Sequence, residues 1–273
     1  MSQETQRPSG LFGTTELGMV GLVIARFSTF FSSPTTTLSD EKPIYLVEGN
    51  IGAGKSTLCK QFARTHNVVC ESVGDKFVQA FNGNRARFAF ALQMTQLTKR
   101  QYALELALAR DAVTILDRSL VGDFAFALWN TVSSNMADDE WALYCEQAGT
   151  VPKLPASSRL IIVFLHDDVE SCAFRQRRRD LYEIDTDYLA GLEAAHLVCL
   201  ACLPASIAVV ELCWQEYARE HTGIDFLSDA ISDAETVLRR RATFRDRARL
   251  AAAALTNQAG ARLVNFLDTQ CAS

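Results

Sequence analysis

The residues whose types and spacing carry the most chemistry form one stretch, Gly49-Asn50-Ile51-Gly52-Ala53-Gly54-Lys55-Ser56, which fits G-x-x-x-x-G-K-[ST]. In such a loop, backbone N–H groups wrap phosphates and hand them to a helix N-terminus. The lysine reaches the β and γ oxygens, and the hydroxyl is offered to Mg²⁺. The flanks suit this reading. Pro43-Ile44-Tyr45-Leu46-Val47 reads as a short buried strand. Thr57-Leu58-Cys59-Lys60-Gln61-Phe62-Ala63 has helical character, with Leu58, Phe62 and Ala63 on one face. Three glycines let the backbone approach a pyrophosphate closely. A glycine-rich turn matching by chance is the competing explanation, and the ordered strand, loop, lysine, hydroxyl and helix set it aside. The stretch reads as a nucleoside-triphosphate site.

Three other charged groups bear on what that site does. Glu71 directly follows the apolar Val68-Val69-Cys70. A carboxylate at a strand end facing the loop can accept a proton from an attacking hydroxyl; an ordinary exposed loop glutamate is the alternative. Asp117-Arg118-Ser119 follows Val113-Thr114-Ile115-Leu116. Asp117 could hold Mg²⁺ through water and Arg118 could neutralise a transferring phosphoryl group, with a structural salt bridge as the other reading. Arg175-Gln176-Arg177-Arg178-Arg179-Asp180 closes a helix beginning near Asp168. Clustered guanidiniums persist beside anions or in open water, so a lid closing over ATP and a solvated face both fit.

Those groups must be positioned by the elements around them. Residues 43–217 alternate strand and helix, the pattern of an α/β fold of the P-loop NTPase type: three layers, a five-stranded parallel sheet, helices on both faces. The expected strands are Ile44–Val47, Asn67–Cys70, Val113–Leu116, Leu160–Leu165 and Ile207–Leu212, short and apolar as for strands buried on both faces. The clearest helix runs from about Arg87 to Arg110, with Phe90, Leu97, Tyr102 and Leu104 among its apolar positions. Right-handed crossovers put all the strand carboxyl ends on one edge, where open α/β sheets bind ligands. Each charged group above follows a strand.

The totals bound the rest. A chain of 273 residues with 48% hydrophobic content supports one large domain plus additions. A formal charge of −5 argues against general nucleic-acid binding. No apolar run reaches the ~18 residues of a membrane span. The eight cysteines lack the framework of a small secreted domain and read as reduced thiols. Cys199 and Cys202 form a C-x-x-C that reads as buried small hydrophobes. That places the chain inside the cell, the cytoplasm being the default compartment. Residues 1–42 form an N-terminal arm, rich in Ser, Thr and Gly; a disordered arm and a mitochondrial targeting segment are the two readings. Residues 218–273 read as a C-terminal extension of two helices, roughly Phe226–Arg240 and Arg245–Leu267, whose arginine cluster suggests a solvated face.

Several motifs together resemble the deoxyribonucleoside kinases, which include deoxycytidine, deoxyguanosine and deoxyadenosine kinases, mitochondrial thymidine kinase and viral relatives. Glu48–Thr57 resembles the family's opening motif, and Arg87-Phe88-Ala89-Phe90-Ala91-Leu92-Gln93 its R-x-x-F-x-x-Q helix. Asp117-Arg118-Ser119 resembles its E/D-R-S, and Asp139-Glu140-Trp141-Ala142-Leu143-Tyr144 its E-W-x-x-Y. Arg177-Arg178-Arg179, Glu183 and Asp187-Tyr188-Leu189 resemble its lid and the Y-L that follows. The resemblance covers roughly residues 43–217.

It implies ATP and Mg²⁺ as co-substrate and cofactor, a deoxynucleoside as acceptor, a role in nucleotide salvage and DNA precursor synthesis, and a homodimer. Gly49, Asn50, Ile51, Gly52, Ala53, Gly54, Lys55, Ser56 and Thr57 would bind ATP, with Ser56 and Asp117 on the metal. Glu71 would be the base on the 5′-hydroxyl and Arg118 would contact that hydroxyl and the phosphoryl group. Arg177 and Arg179 would hold phosphates, although the lid spacing also admits Arg175 or Arg178. Gln93 would pair with the base and Glu183 would reach the sugar 3′-hydroxyl. Arg100, seven residues after Gln93 and on the same helix face, would pair with Asp123 beside the base. That pair resembles the deoxycytidine and purine kinases more than the thymidine ones.

The base pocket also departs from the family. Phe81 occupies the nucleoside-binding position where relatives usually place a tyrosine against the sugar. Leu92 replaces an aromatic, and Gln96 fills a position usually small or apolar. The competing functions are thymidine kinase activity, a thymidylate-type nucleoside monophosphate kinase, and a non-catalytic scaffold. The second should show extra basic residues near Glu71, and Ser72-Val73-Gly74-Asp75 supplies none. The third should have lost Lys55, Ser56 or Glu71, and all are present.

Overall fold

The computed structural model describes residues 43–71, 75–110, 112–150, 159–179, 184–203, 207–213, 241–255 and 257–270. The arm 1–42, Glu183 and the expected helix Phe226–Arg240 lie outside them. In chain order the first half holds β1 (Pro43–Gly49), α1 (Lys55–Phe62), β2 (Asn67–Val69), α2 (Asp75–Gly83), α3 (Arg85–Leu108) and β3 (Thr114–Asp117). Then come α4 (Leu120–Val132), α5 (Asp138–Ala148), β4 (Arg159–His166), α6 (Val169–Arg179), α7 (Thr186–Ala201) and β5 (Ala208–Cys213). Two helices close the chain, α8 (Arg241–Ala254) and α9 (Gln258–Gln270).

The five strands form one parallel sheet in the order β2-β3-β1-β4-β5. β1 lies at its centre, where Leu46 aligns with Leu116 of β3 on one side and Ile162 of β4 on the other. Side chains alternate between the two faces, as the period of a strand requires. Ile44 and Leu46 of β1, with Leu160, Ile162 and Phe164 of β4, enter the larger core. Tyr45 and Val47, with Ile161, Val163 and Leu165, enter the smaller one, which α1 closes with Leu58 and Phe62. The expected α/β architecture is therefore the observed one.

Several details differ from the sequence reading. β2 is an edge strand with Asn67 exposed and its valines only half-buried. Ala63 is exposed at the end of α1 and Cys59 is buried in its place. Tyr102 is 62% exposed although it falls in an apolar register. The expected single helix Arg245–Leu267 is broken at Leu255–Asn257 into α8 and α9, and the second folds back on the first. The side of these helices opposite the expected solvated face joins the larger core, where Phe244, Ala248, Ala252, Leu263 and Leu267 are buried. Arg247 pairs with Glu211 at the end of β5 and Arg249 with Asp268. The reading of uniformly reduced thiols also fails at one position: Cys202 is disulfide-bonded, while Cys199 is a buried free thiol.

Helix α7 is buried almost all round and lies against α4 and α8. Gly191 makes that approach possible: a Cβ there would stand 2.0 Å from the Trp129 ring. Since Trp129 is itself only 4% exposed, it has little room to yield. We expect Gly191→Ala to destabilise the protein by about 1–3 kcal/mol, read from the urea midpoint at unchanged slope.

Candidate active site

The site is built where the loop after β1, the chain after β3 and the middle of α3 converge on the carboxyl edge of the sheet. The loop wraps because three of its glycines, Gly49, Gly52 and Gly54, have φ values of 139°, 83° and 99°. Gly52 is held to glycine twice over, since a Cβ would also meet the Cys172 carbonyl of α6 at 2.2 Å. Lys55 folds back over the loop and donates to the carbonyls of Asn50 (2.6 Å) and Gly49 (3.0 Å). Burial, aided by the nearby Arg118, lowers its pKa to about 7.

Behind the loop, Glu48 is wholly buried at the end of β1. Its Oε1 accepts from Ser119 N (2.7 Å), Ser119 Oγ (2.6 Å) and Gly122 N (3.0 Å), so it ties the central strand to the first turn of α4. Between Glu48 and the loop, Arg118 takes a left-handed backbone, φ 72°, rare for a non-glycine residue. Its amide donates to Val47 O, its guanidinium to Gly49 O and Glu71 Oε2 (3.2 Å), and its plane lies 4.8 Å from the Phe126 ring centre. Strain of this kind persists where the surroundings over-determine it, commonly in a functional site.

A charge network runs inward from there. Arg100 on α3 is 7% exposed and donates to Glu71 Oε1 (2.7 Å) and to Asp123 Oδ1 of α4. Tyr144 of α5 donates to the other oxygen of Asp123 at 2.7 Å. Burial works against the Arg100 charge, but Asp123 and Glu71 outweigh it and hold the guanidinium protonated. For Glu71, burial works to raise the pKa, but Arg118 and Arg100 prevail and keep it below the usual carboxylate value. The carboxylate is thus ionised and aimed by two guanidiniums.

These groups line a cavity of about 350 Å³. Lys55, Ser56, Gly52 and Ile51 form its loop end, and Glu71 and Arg118 its middle. Gln93, Gln96, Arg100, Leu92 and Phe81 form the far wall. Gln93 is 2% exposed and its Oε1 has no hydrogen-bond partner. Asp123 is behind the wall, acting through Arg100. On the metal side, Ser56 Oγ donates to Asp117 Oδ2 at 2.9 Å, while the buried Asp117 Oδ1 is unpartnered. That orphaned oxygen beside a hydroxyl suits a hard divalent cation that also takes phosphate oxygens. Among the described residues no cluster of three His, Cys, Asp or Glu side chains could hold a metal without them.

The arginine-rich helix α6 divides by role. Arg175 is committed to the fold: its Nε donates to Gly52 O (2.6 Å) and its Nη2 to Asp167 (2.7 Å), fastening the helix to the phosphate loop. Arg177, Arg178 and Arg179 are exposed, and of these Arg179 enters the cavity wall. Sequence reasoning missed the bonding of Glu48, the Tyr144–Asp123 contact, and Ile184, Tyr188 and Phe126 in the cavity wall. Tyr144 three residues after Trp141 was visible as a motif, but nothing local names its partner 21 positions away.

A phosphate loop, a strand-end Asp with the loop hydroxyl, and a carboxylate facing both across one cavity define a P-loop phosphotransferase. A model of the deoxynucleoside kinase family matches residues 45–227, and the chain belongs to that family. Members are nucleoside-phosphorylating, ATP-using enzymes of nucleotide salvage. The fold is similar to that of deoxyadenosine kinase from M. mycoides in two solved structures. The one with products dCMP and a flexible dCDP bound has TM-score 0.57 and 19% identity, covering 70% of this chain and 99% of that one. The one with bound dCTP has TM-score 0.56 and 20% identity, with the same coverage. No match was found among curated proteins.

Removing Asp123 leaves the buried Arg100 with only the partly exposed Glu71 and strips the Tyr144 hydroxyl of its acceptor. Asp123→Ala should therefore cost about 3–5 kcal/mol in a denaturant titration. Tyr144→Phe, which removes one hydrogen bond to a charged group, should cost about 1.5–3 kcal/mol.

Proposed function

We propose that the enzyme transfers the γ-phosphoryl group of ATP to the 5′-hydroxyl of a deoxynucleoside bearing cytosine or a purine. The observation that carries this reading is the position of Glu71: its carboxylate shares one cavity with Lys55 and Ser56 and is held ionised by Arg100 and Arg118. A neutral alcohol needs a base to attack phosphorus, and an aimed carboxylate within the site supplies it.

In this mechanism the loop amides and Lys55 hold the triphosphate, with Arg177 and Arg179 added from α6. Gln93 meets the base, Arg100 and Asp123 shape the wall beside it, and Phe81 packs near the sugar. Glu183, outside the described residues, serves the 3′-hydroxyl. Glu71 takes the 5′-hydroxyl proton as that oxygen bonds to the γ-phosphorus, and the bond to the β,γ-bridging oxygen breaks to release ADP. Arg118, donating already to the loop carbonyl of Gly49, neutralises charge on the group in transit. A divalent ion on Ser56 and Asp117, Mg²⁺ in this proposal, would neutralise phosphate charge.

A monophosphate acceptor is disfavoured by charge. The cations nearest the acceptor end, Arg100 and Arg118, are already bonded to Glu71 and Asp123. The enzyme is proposed to work as a homodimer inside the cell. Among the described residues no helix is long and apolar enough to cross a membrane.

A labelled-ATP panel over the four deoxynucleosides and their monophosphates tests the reading; transfer to monophosphates alone would overturn it. Glu71→Gln should lower kcat on the best nucleoside by about 10²–10⁴-fold, with a much smaller change in KM. Lys55 supplies an independent check. With its pKa depressed to about 7, the amine is mostly neutral in the free enzyme above that pH. A bound triphosphate favours the ammonium form. ATP binding at about pH 8.5 should then take up roughly one proton, and progressively less as the pH falls below the depressed value. Calorimetry in two buffers of different ionisation enthalpy reads this directly, and zero uptake would show that the Lys55 amine is already charged in the free enzyme, overturning the depressed pKa.

A further inference from the structure

The wall that faces the base carries two amides. Gln93 and Gln96 lie three residues apart on α3, so they project from neighbouring positions of one helix face. They are 2% and 5% exposed, and both line the cavity that holds Glu71 and Lys55. Gln93 Oε1 is buried without a partner. Arg100, the next polar group along this face, is engaged by Asp123 and Glu71, so hydrogen bonding to a base from α3 falls chiefly to the two glutamines. Leu92 and Phe81 add apolar surface beside them, and Asn82 and Tyr188 are further polar lining residues, contributed by α2 and α7.

A buried amide is costly unless a hydrogen-bond partner satisfies it, and the Gln93 carbonyl has none within the protein. One glutamine is enough for the Watson–Crick edge of any base that offers a donor beside an acceptor. A second, adjacent glutamine needs a second polar edge, and the bases differ there. Adenine and guanine both place the N7 acceptor beside their exocyclic C6 group. At the corresponding edge cytosine presents only a C–H and thymine a methyl group. We propose that Gln96 is a specificity-determining residue that donates its amide N–H to purine N7 while Gln93 takes the Watson–Crick edge. Purine deoxynucleosides are then the preferred substrates. The inference rests on the deoxynucleoside kinase reading above and narrows its base. Against a pyrimidine the Gln96 amide faces carbon and is desolvated without a partner, and against thymine it also meets the methyl group.

The test uses the full-length enzyme and compares deoxyadenosine and deoxyguanosine with deoxycytidine, thymidine and the 7-deaza forms of both purines, in which N7 is replaced by C–H. The wild-type enzyme should favour the natural purines, and each 7-deaza analogue should lose on the order of 10- to 100-fold in kcat/KM, the penalty for leaving one buried polar group unpaired. Gln96→Ala should lower the purine-to-pyrimidine ratio of kcat/KM by a similar factor and abolish the difference between natural and 7-deaza purines. A wild-type enzyme that uses the 7-deaza analogues as well as the natural purines overturns the inference without needing a variant. So does a pyrimidine preference, or a Gln96→Ala protein that loses activity equally on all bases. In each of these cases nucleoside phosphorylation still stands. Failure to phosphorylate any deoxynucleoside would instead overturn the parent reading.

Discussion

A buried guanidinium cannot stand without anionic partners, and Arg100 meets that demand with two carboxylates from two different parts of the chain. Asp123 belongs to α4 and Glu71 follows β2, while Arg100 itself is in the third turn from the end of α3. Satisfying one charge therefore sets where a strand end and two helices lie relative to one another. The consequence reaches the chemistry. With Arg118 on its other oxygen, Glu71 is ionised and has its orientation decided by the fold rather than by the substrate. Tyr144 extends the same constraint to α5 by occupying the second oxygen of Asp123.

The phosphate end is organised by backbone instead of side-chain charge. Left-handed conformations at the loop glycines turn the chain sharply enough to present amides, and Arg118 accepts a similar conformation at the end of β3. Glu48 joins these two places, since its one oxygen accepts three bonds from Ser119 and Gly122. Gly122 must remain without a side chain because a Cβ would stand 2.2 Å from the other Glu48 oxygen. Arg175 then couples the helix that carries the exposed arginines to the loop through the Gly52 carbonyl. Movement of α6 and the shape of the phosphate loop are therefore mechanically linked, which suits an element that borders the cavity through Arg179.

Much of this was legible in the residues. The loop motif, the apolar strands and the polar residues just past them belong to local patterns, and short-range sterics and strand periodicity decide such patterns. Where the local pattern misled, burial came from elsewhere. Tyr102 has the register of a core residue but lies on a side of α3 that nothing among the described residues covers. The Arg245–Leu267 stretch has uninterrupted helical character, yet it turns at Leu255–Asn257 so that both halves can seal the larger core. Cys202 was read as a thiol because spacing cannot show which cysteine another approaches.

By itself, then, the sequence determined the class of chemistry: a triphosphate loop, a strand-end acid, a strand-end Asp-Arg pair and the parallel α/β frame between them. These depend on neighbours in the chain. Only the tertiary structure decided which charges share a partner. It put Glu71 between two guanidiniums, separated Arg175 from the arginines that remain exposed, and set Gln96 beside Gln93 in the wall of one cavity. The reason is physical. A side chain's hydrogen-bond capacity can be read from its type, but which groups satisfy it is a property of burial, and burial exists only once distant segments have packed.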